Sequence, residues 1–549
     1  MSVVTVTVLS SGRAIDPVHQ MLSVDIRREL NRLPTAQLVF MDGDLATREY
    51  PVSNSGLFDP GKEIEIKARH EGDGSTAVDQ SLFKGLVVRQ AMESNAQGTL
   101  LRVEMRDKAV KLAQPRRSQV LEKMSDSELI KKLIADAGLA AGTLDTTVPT
   151  HDTLVQYDCS DWDLIVSRAE ANGLVVVVQD GRISVTRPDT SAPVALTIDH
   201  GLGEVYELAF ETDAMGQDVS FTARSWSVKD QAIVEIAGAA APAISQGTHT
   251  GKKLAQALGY RDAVLVHPVG LLPEEAKAWA SSESRRGQLS LVRGSARLPG
   301  QGKAALLQVV TLKGLPTAFA GEALVSGLCH RIDGDGWVTV LQFGLSPQAH
   351  RLRPEISAPP AAGLWPAVGG LQLGVVEAMH EDPQGEYRVK VKLPGLGDGA
   401  PGYWARMAVP DAGNARGWFF WPEPGDEVVL GFFNQDPRMP VVLGSMFGSK
   451  NKPPADIADT TDKNLRRGLV TKKGLTLAFI DDDKAQLYLQ TPGGSKILLD
   501  DDGELVALSD KHGNKLTLDK NGVTIVSAKD FLVDAAGKVE IKGSKVDLK

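Results

Sequence analysis

The C-terminal part of this sequence contains an internal repeat, which strongly limits the folds open to it. Residues 494–503 read GSKILLDDDG and residues 513–522 read GNKLTLDKNG, so the same pattern returns after 19 residues. A shorter copy, GSKVDL, follows at 543–548. Self-similarity at a fixed spacing indicates one structural unit that is built several times and stacked.

Each unit is predicted to be a short strand, a tight turn and a second short strand. Apolar side chains alternate with polar ones, which is the two-residue period of a strand with one buried face. Asp502-Gly503 and Asn521-Gly522 stand between the two strands of each unit, and such dipeptides accept positive φ at little cost. The residues predicted to share the buried face are Ile497, Leu499, Leu505 and Ala507 in the first unit and Leu516, Leu518, Val523 and Ile525 in the second.

A stack of this kind needs a partner to cover its apolar face. The segment from Lys472 to Lys549 is small, and small units leave most of their surface in water. Identical chains that wrap around a shared axis would bury the face and close the exposed strand edges. The alternative is a monomeric sheet packed on the rest of the chain. The segment contains no arginine and an even spread of lysine and aspartate, which favours a free-standing, solvated rod.

Length, composition and charge favour a multi-domain globular protein. The chain has 549 residues, of which 42% are apolar and 23% charged, and these are ordinary values for a folded protein. The net charge of -9 argues against a nucleic-acid binder of the basic-patch kind. Cys159 and Cys329 are too few for a disulfide framework or a zinc cluster, so both are predicted to be buried thiols in a reducing compartment.

The sequence predicts synthesis in the cytoplasm without a signal peptide. Residues 1–16 lack the basic start and the long apolar core of a secretory leader. No stretch approaches the run of about 18 apolar residues that a membrane-spanning helix requires. We therefore expect no insertion into a membrane.

The N-terminal part is predicted to be mainly β with a few helices. Helices are expected at Ser125–Gly138, where Ser125 and Glu128 form a capping box, at Ser160–Gly173 and within Pro273–Ser290. Short alternating runs separated by turn residues are typical of barrels and sandwiches. These runs lie at 3–9, 21–27, 36–41, 63–68, 82–90 and 99–106.

Two segments resemble the VgrG family of contractile injection spikes. EYRVKVKLPG, YWARMAVP and GWFFWPEPGDEVVLGFFNQDPRMPVVLGSMF, within residues 386–447, resemble that family's oligonucleotide-binding-type (OB) barrel. Residues 155–178 resemble its hub signature, in which a strand carrying Gln-Tyr precedes a helix opened by Ser-Asp. The residues that carry the barrel resemblance are Arg388, Val389, Val391, Trp404, Ala405, Arg406, Gly417, Pro422, Gly425, Asp426, Glu427, Val428, Asp436, Pro437, Pro440, Val441, Gly444 and Ser445.

The resemblance implies a fold of phage-tail-hub-like barrels, an OB-fold barrel and a C-terminal trimeric β-helix or β-prism needle. The Pro-rich segment before the barrel predicts a linker with local polyproline character. The predicted domains are a tail-hub-like domain at 1–346 with two barrel-like parts and helical insertions, a linker at 347–370, the barrel at 371–448, a second linker at 449–471 and the needle at 472–549.

The resemblance also implies a structural, non-enzymatic homotrimer that caps an inner tube, carries a tip protein and pierces a target envelope. Its implied partners are an Hcp-like inner tube, baseplate proteins, a PAAR-type tip protein and effector cargo, with the target membrane contacted only on injection and no nucleic acid. The particle is a type VI secretion system, an extracellular phage-tail-like particle or a phage, and it carries the protein out of the cell. Val546, Leu548 and Lys549 are assigned to docking of the tip protein. Ile497, Leu499, Leu516, Leu518, Val523 and Ile525 are assigned to the trimer core.

Candidate catalytic and cofactor motifs are better explained by loops and turns, so neither a cofactor nor a metal is predicted. His380, Glu381 and Asp382 suit acid-base chemistry, but adjacent Pro383 and Gly385 favour a hairpin loop. The letters GxGxxG at 397–402 are followed by a strand-like segment instead of the helix that a dinucleotide loop opens. Clustered aspartates at 481–483 and 500–502 offer oxygen ligands for calcium, and solvated turns are the alternative.

The aromatic residues of the barrel raise a last alternative. Trp404 and the run Trp418, Phe419, Phe420 and Trp421 offer stacking surfaces for single-stranded nucleic acid. Few basic residues are nearby, so packing at the trimer axis or on the hub is favoured. Arg388 and Arg406 are predicted to pair with Asp426 or Glu427. The remaining alternatives to a spike are a tail-associated envelope-degrading enzyme and a carbohydrate- or DNA-binding barrel module.

Overall fold

The computed structural model describes residues 3–44, 46–71, 79–95, 98–202, 205–242, 244–397 and 399–548. The chain forms two compact units, Met1–Pro359 and Pro360–Lys549. Strands dominate both units, and the predicted mainly β fold with a few helices is confirmed. The division between the units falls inside the segment 347–370 that was predicted as a linker.

The first unit is built on one large sheet and several small ones. Its helices are α1 Asp126–Asp136, α2 Asp161–Ala171, α3 Gly251–Ala257 and α4 Pro273–Ser290. Its strands are β1 Val4–Ser10, β2 Arg13–Ala14, β3 Met21–Glu29, β4 Thr35–Met41, β5 Glu63–His70, β6 Gln80–Asn95, β7 Gly98–Arg106, β8 Arg116–Ser125, β9 Ala140–Leu144, β10 Thr150–Ser160, β11 Val175–Gln179, β12 Arg182–Thr186, β13 Val194–Asp199, β14 Glu207–Thr212, β15 Phe221–Ser227, β16 Ala232–Ala237, β17 Ala263–Val266, β18 Val292–Pro299, β19 Val309–Lys313, β20 Gly321–Asp333 and β21 Gly336–Phe343.

The large sheet carries two separate hydrophobic cores. Its main path runs β14-β18-β21-β20-β3-β4-β7-β6-β5-β1-β2, and β13 and β19 join it through β20. Strands β1 and β3 to β7 enclose one core, and β13 and β18 to β21 enclose the other. The long strand β20 contributes Ile332 to the first core and Leu328 to the second. This strand therefore joins the two halves of the sheet.

The helices begin and end where local sequence signals place them. Ser125 and Glu128 form the predicted capping box of α1. The Ser160 hydroxyl accepts a hydrogen bond from the Asp163 amide at 3.1 Å and caps α2. Gly173, with a φ of 68°, follows the end of α2 before β11 begins. The helix α3 and the strand β8 were not predicted, because their sequences lack a strong apolar period, whereas β10, the antiparallel partner of β8, contains the strand with Gln-Tyr that the hub signature implies.

The first half of the predicted linker is held against the first unit. The His350 ring lies 2.9 Å from Asp163 Oδ1, and the His350 amide donates to Glu170 Oε2 at 2.7 Å. Arg351 donates to Glu283 at 2.7 Å. Residues 350–352 and 354–356 form short 3₁₀ turns. Because these side chains bind helices of the first unit, this stretch does not act as a free polyproline spacer.

The second unit begins with a small closed barrel. Its five strands pair in the order β22-β23-β24-β28-β27 and close through β22 and β27. The apolar residues at the centre include Val376, Val389, Val391, Val428 and Leu430. The strands of this part are β22 Gln372–Ala378, β23 Val389–Lys392, β24 Tyr403–Met407, β25 Ala412–Gly413, β26 Arg416–Gly417, β27 Glu427–Phe432 and β28 Pro440–Ser445.

The repeat region forms a seven-stranded antiparallel sheet in which each strand pairs with the next. The sheet begins at Arg466, before the predicted needle start at Lys472. Residues 527–548 contain no strand. The strands of this needle sheet are β29 Arg466–Val470, β30 Thr476–Ile480, β31 Gln486–Gln490, β32 Lys496–Asp500, β33 Leu505–Ser509, β34 Lys515–Asp519 and β35 Gly522–Val526.

Candidate assembly interface

One face of the needle sheet is lined by large apolar side chains in two rows. Directly opposed residues of an antiparallel pair point to the same side, so the strand register assigns each side chain to a face. We call the following thirteen residues the apolar face. They are Leu469, Leu477, Leu489, Ile497, Leu508, Leu516 and Ile525 in one row and Phe479, Leu487, Leu499, Val506, Leu518 and Val523 in the other.

The apolar face is largely uncovered in a single chain. Ile497, Leu499 and Leu518 each expose 43% of their surface, Ile525 exposes 58% and Val523 exposes 67%. Large contiguous apolar surface on a soluble protein indicates an interaction site. All six predicted trimer-core residues lie on this face, and the sixth, Leu516, is half-buried.

Two predicted members of the face lie on the other side of the sheet. Leu505 pairs with Asp500, while Val506 pairs with Leu499 and Leu508 pairs with Ile497. Val506 and Leu508 therefore take the places that were assigned to Leu505 and Ala507. The prediction was wrong because residues 505–508 are all apolar, so alternation does not fix their phase. The length of the turn fixes the phase of these residues instead. The turn of the first repeat has four residues, 501–504, whereas the turn of the second repeat has only two, 520–521.

The predicted turns lie where the strands reverse, but a different residue adopts positive φ in the first of them. Glu504 has a φ of 45° in the turn that contains Asp502-Gly503. Gly522 has a φ of 120° at the second turn, as the Asn521-Gly522 pair predicts. The members of the apolar face that precede the first repeat were missed. The alternation in TLAFI at 476–480 and QLYLQ at 486–490 is the signal that identifies four of them, Leu477, Phe479, Leu487 and Leu489.

The apolar face continues into a groove beside an aromatic residue of the barrel segment. The groove has a volume of about 500 Å³ and is lined by Phe420, Leu469, Leu475, Leu489 and Ile497, among others. Phe420 is 56% exposed and Leu475 is 50% exposed. The uncovered surface therefore extends beyond the strands of the needle sheet.

The residues assigned to tip docking lie in the irregular segment after β35. Val546 is 51% exposed and Leu548 is 93% exposed. Lys549 lies outside the described residues. Among the described residues, Val546 and Leu548 do not form a site within one chain.

The acidic residues of the barrel that were weighed as catalytic hold a loop together. Asp382 accepts hydrogen bonds from the amides of Gln384, Glu386 and Arg388, and the Arg388 guanidinium binds it at 2.6 Å. The hydrogen bonds from Arg388 hold the pKa of the Asp382 carboxyl well below its usual range. The predicted pairing of Arg388 with Asp426 or Glu427 is therefore wrong, because Asp382 is nearer along the same hairpin. Glu381 is exposed beside it.

The aromatic run of the barrel segment forms two separate pairs. Trp418 and Phe420 have ring centroids 5.9 Å apart, and Phe419 and Trp421 have centroids 4.9 Å apart. Trp421 packs against the barrel core, while Phe419 is 71% exposed. Neighbouring residues of this extended run point in opposite directions, so they do not present one continuous stacking platform.

Three aspartates of the needle clusters bind neighbouring side chains. Asp481 binds Arg467, Asp502 lies 3.5 Å from Lys484, and Asp500 accepts a hydrogen bond from Gln486. Among the residues that the structure describes, no group of three or more His, Cys, Asp or Glu side chains is arranged to hold a metal ion. No helix in the described ranges is long and apolar enough to cross a membrane.

Three family models match the chain in succession. Residues 1–334 match the Alg8 N-terminal domain. Residues 372–447 match the type VI secretion system/phage-baseplate injector OB domain. Residues 486–548 match the phage baseplate V C-terminal trimerisation domain.

Curated relatives and solved structures are similar to parts of the chain. The type VI secretion system spike protein VgrG5 of Pseudomonas aeruginosa is 29% identical over 130 residues, which are 22% of this chain and 16% of that protein. The chain thus matches about a sixth of the length of this relative. The 43 kDa tail protein of prophage MuSo2 from Shewanella oneidensis is 14% identical, with a TM-score of 0.46 over 63% of this chain and 99% of that one. The c3393 protein of E. coli, a type VI secretion component, is 12% identical, with a TM-score of 0.38 over 80% of this chain and 99% of that one.

Proposed function

This chain belongs to the family of the Alg8 N-terminal domain and is a VgrG-like spike protein, and from this premise we propose that it forms the homotrimeric spike and hub of a contractile injection system. Its role as a spike or hub component is structural. In the proposal, residues 1–346 form the hub, 371–448 the barrel and 472–549 the needle, with linkers at 347–370 and 449–471.

The uncovered apolar face of the needle sheet is the main observation that supports the proposed trimer. Each large apolar side chain that becomes buried contributes about 1.5–3 kcal/mol relative to an exposed one, so the thirteen residues of the apolar face give each chain a strong drive to associate. A closed ring of three chains buries this face on all of them at once. The match of residues 486–548 to a trimerisation domain supports the same arrangement.

The other proposed roles follow from this assembly. The hub caps an Hcp-like inner tube and contacts baseplate proteins, and the particle carries effector cargo to the target envelope, which the needle pierces. A PAAR-type tip protein docks on Val546, Leu548 and Lys549. The spike acts mechanically and not as an enzyme, and the engagement of Asp382 with Arg388 supports this. The protein is made in the cytoplasm and leaves the cell as part of the particle.

The oligomeric state of the purified full-length chain tests the proposal. Mass photometry is expected to give the mass of three chains, and negative-stain images are expected to show a needle on the particle axis. A monomer at micromolar concentration would contradict it.

Incubation with peptidoglycan tests the enzymatic alternative. No hydrolysis is expected. Hydrolysis that is lost in a Glu381→Gln variant would support an envelope-degrading enzyme in place of a mechanical spike.

A further inference from the structure

The turns of the needle sheet lie alternately along its two sides, because each strand runs opposite to the one before. We call each line of turns, with the strand residues that flank them, a margin. The first margin consists of residues 470–476, 490–496 and 509–515. The second margin consists of residues 480–486, 500–505 and 519–522. The apolar face lies between them.

The two margins carry opposite charge. The second margin contains eight acidic side chains, and its basic side chains are Lys484 and Lys520. The first margin contains five lysines and His512, with Asp510 as its acidic side chain. The first-margin lysines are Lys472, Lys473, Lys496, Lys511 and Lys515, and the second-margin acids are Asp481, Asp482, Asp483, Asp500, Asp501, Asp502, Glu504 and Asp519.

Contacts within the chain leave much of this charge unpaired. In the part of the chain that the structure describes, Lys473, Lys511 and Lys515 contact no acidic side chain. Asp483, Asp501 and Glu504 likewise contact no basic side chain there. The single acid of the basic margin, Asp510, is held by its own turn, where it accepts hydrogen bonds from the amides of His512 and Asn514 and from the Asn514 side chain.

A three-fold axis that runs along the stacking direction of the strands brings unlike margins together. Each sheet then forms one side of a prism, and the first margin of one chain meets the second margin of the next at every corner. The turns of the two margins are offset by one strand, about 4.8 Å. Basic turns of one chain therefore lie at heights between acidic turns of its neighbour.

We propose that the corners of the needle are ion-pair seams in which the basic margin of one chain binds the acidic margin of the next copy. This inference rests on the proposed trimer, and it adds which margin of one chain meets which margin of the next. The apolar face drives association without specifying orientation, since hydrophobic attraction is non-directional. Opposed charges specify it, because contacts between like margins would repel.

Charge reversal of the unpaired residues tests the seams. One variant, Lys473→Glu, Lys511→Glu and Lys515→Glu, makes both margins acidic. A second variant, Asp482→Lys, Asp483→Lys, Asp501→Lys and Glu504→Lys, makes both basic, because it leaves six lysines against four aspartates on the second margin. Asp482, like the other three, contacts no basic side chain in the described residues. Each variant is expected to lose the trimer in native mass spectrometry. The seven-fold variant that combines them is expected to recover it. The control Lys131→Glu, Lys252→Glu and Lys253→Glu makes the same change of net charge as the first variant, on exposed residues of the first unit, and is expected to remain trimeric.

Co-expression of the wild-type chain with a tagged seven-fold variant gives the sharpest outcome. In a mixed trimer, a wild-type margin would oppose a variant margin of like charge, so only pure trimers of each chain are expected. A binomial mixture of pure and mixed trimers would overturn the seams while leaving the trimer itself in place. A wild-type chain that is monomeric would instead overturn the proposed function.

Crosslinking of the wild-type protein tests the seams without any variant. A carbodiimide joins lysine to carboxylate only where the two groups touch. In trimers assembled from isotope-labelled and unlabelled chains, interchain crosslinks are expected between residues 509–515 or 470–476 and residues 480–486 or 500–505. Interchain crosslinks that join other pairs of segments exclusively would overturn the inference.

Discussion

Asp126, at the start of α1, is a buried carboxylate that binds the side chains of a neighbouring helix. It is 1% exposed and accepts two hydrogen bonds from Arg168 of α2, at 2.6 and 2.9 Å, and one from Asn172 at 2.8 Å. Arg168 also donates to Glu275 of α4 at 3.1 Å. Burial raises the pKa of the Asp126 carboxyl, but the Arg168 guanidinium outweighs this and holds the pKa below its usual value. The two ion pairs of Arg168 thus connect three helices.

We expect Asp126→Asn to destabilise the first unit by about 3 kcal/mol, because Arg168 loses the more closely bound of its two carboxylate partners in a buried site. A carboxyl whose folded pKa is lowered contributes stability at neutral pH, and this contribution is lost as the pH falls. The variant should therefore flatten the acid side of the stability profile, as measured by urea unfolding between neutral and acidic pH. Asp136→Asn, on the exposed side of α1, is the control. Equal acid sensitivity of Asp126→Asn and the wild type would contradict the assignment.

Local signals in the sequence located α1, α2 and α4, whereas the contacts that join these helices were not predictable. The capping box links Ser125 to Glu128 three residues later, so it is visible in the letters. The bond from Arg168 to Asp126 spans 42 residues, and the bond to Glu275 spans 107. Buried Gln156, which binds Asp161 Oδ1 at 2.9 Å, gives a physical reason for the Gln-Tyr pair that precedes α2. The sequence alone does not reveal this hydrogen bond, because it depends on how the end of β10 is placed relative to the start of α2.

The needle sheet shows how far periodicity determines an element. Alternation in the sequence placed Leu516, Leu518, Val523 and Ile525 on one face, and the strand pairing agrees. It failed at 505–508, where all four residues are apolar and turn length sets the phase. In the absence of an alternating pattern, the register of a strand follows from its hairpin geometry.

We expect Leu516→Asp with Leu518→Asp to abolish the trimer, because each chain would place two unpaired charges in the shared core. Mass photometry should then show single chains. The matched control places two aspartates on the opposite face, Leu505→Asp with Thr524→Asp. This control should remain trimeric. An intact trimer with a protruding needle in the first variant would show that another surface holds the chains together.

At the scale of the whole molecule, the order of the three family matches agrees with the order in which the structure builds its parts. The large sheet of the first unit precedes the closed barrel, and the barrel precedes the needle sheet. The segment after β35 still alternates, with Val539 and Ile541 and then Val546 and Leu548, yet it forms no strand in one chain. An isolated chain supplies no partner for these residues, so their pairing is expected only in the assembled spike.

The proposed tip site gives a prediction that separates tip docking from assembly. Val546→Asp with Leu548→Asp should remove binding of a co-expressed PAAR-repeat protein, because two charges would enter an apolar contact. The trimer should persist, since the apolar face at 469–525 is unchanged. Ser544→Asp with Lys545→Asp alters neighbouring polar positions and should retain the tip protein in a pull-down. Undiminished capture by the first variant would place the docking surface elsewhere on the spike.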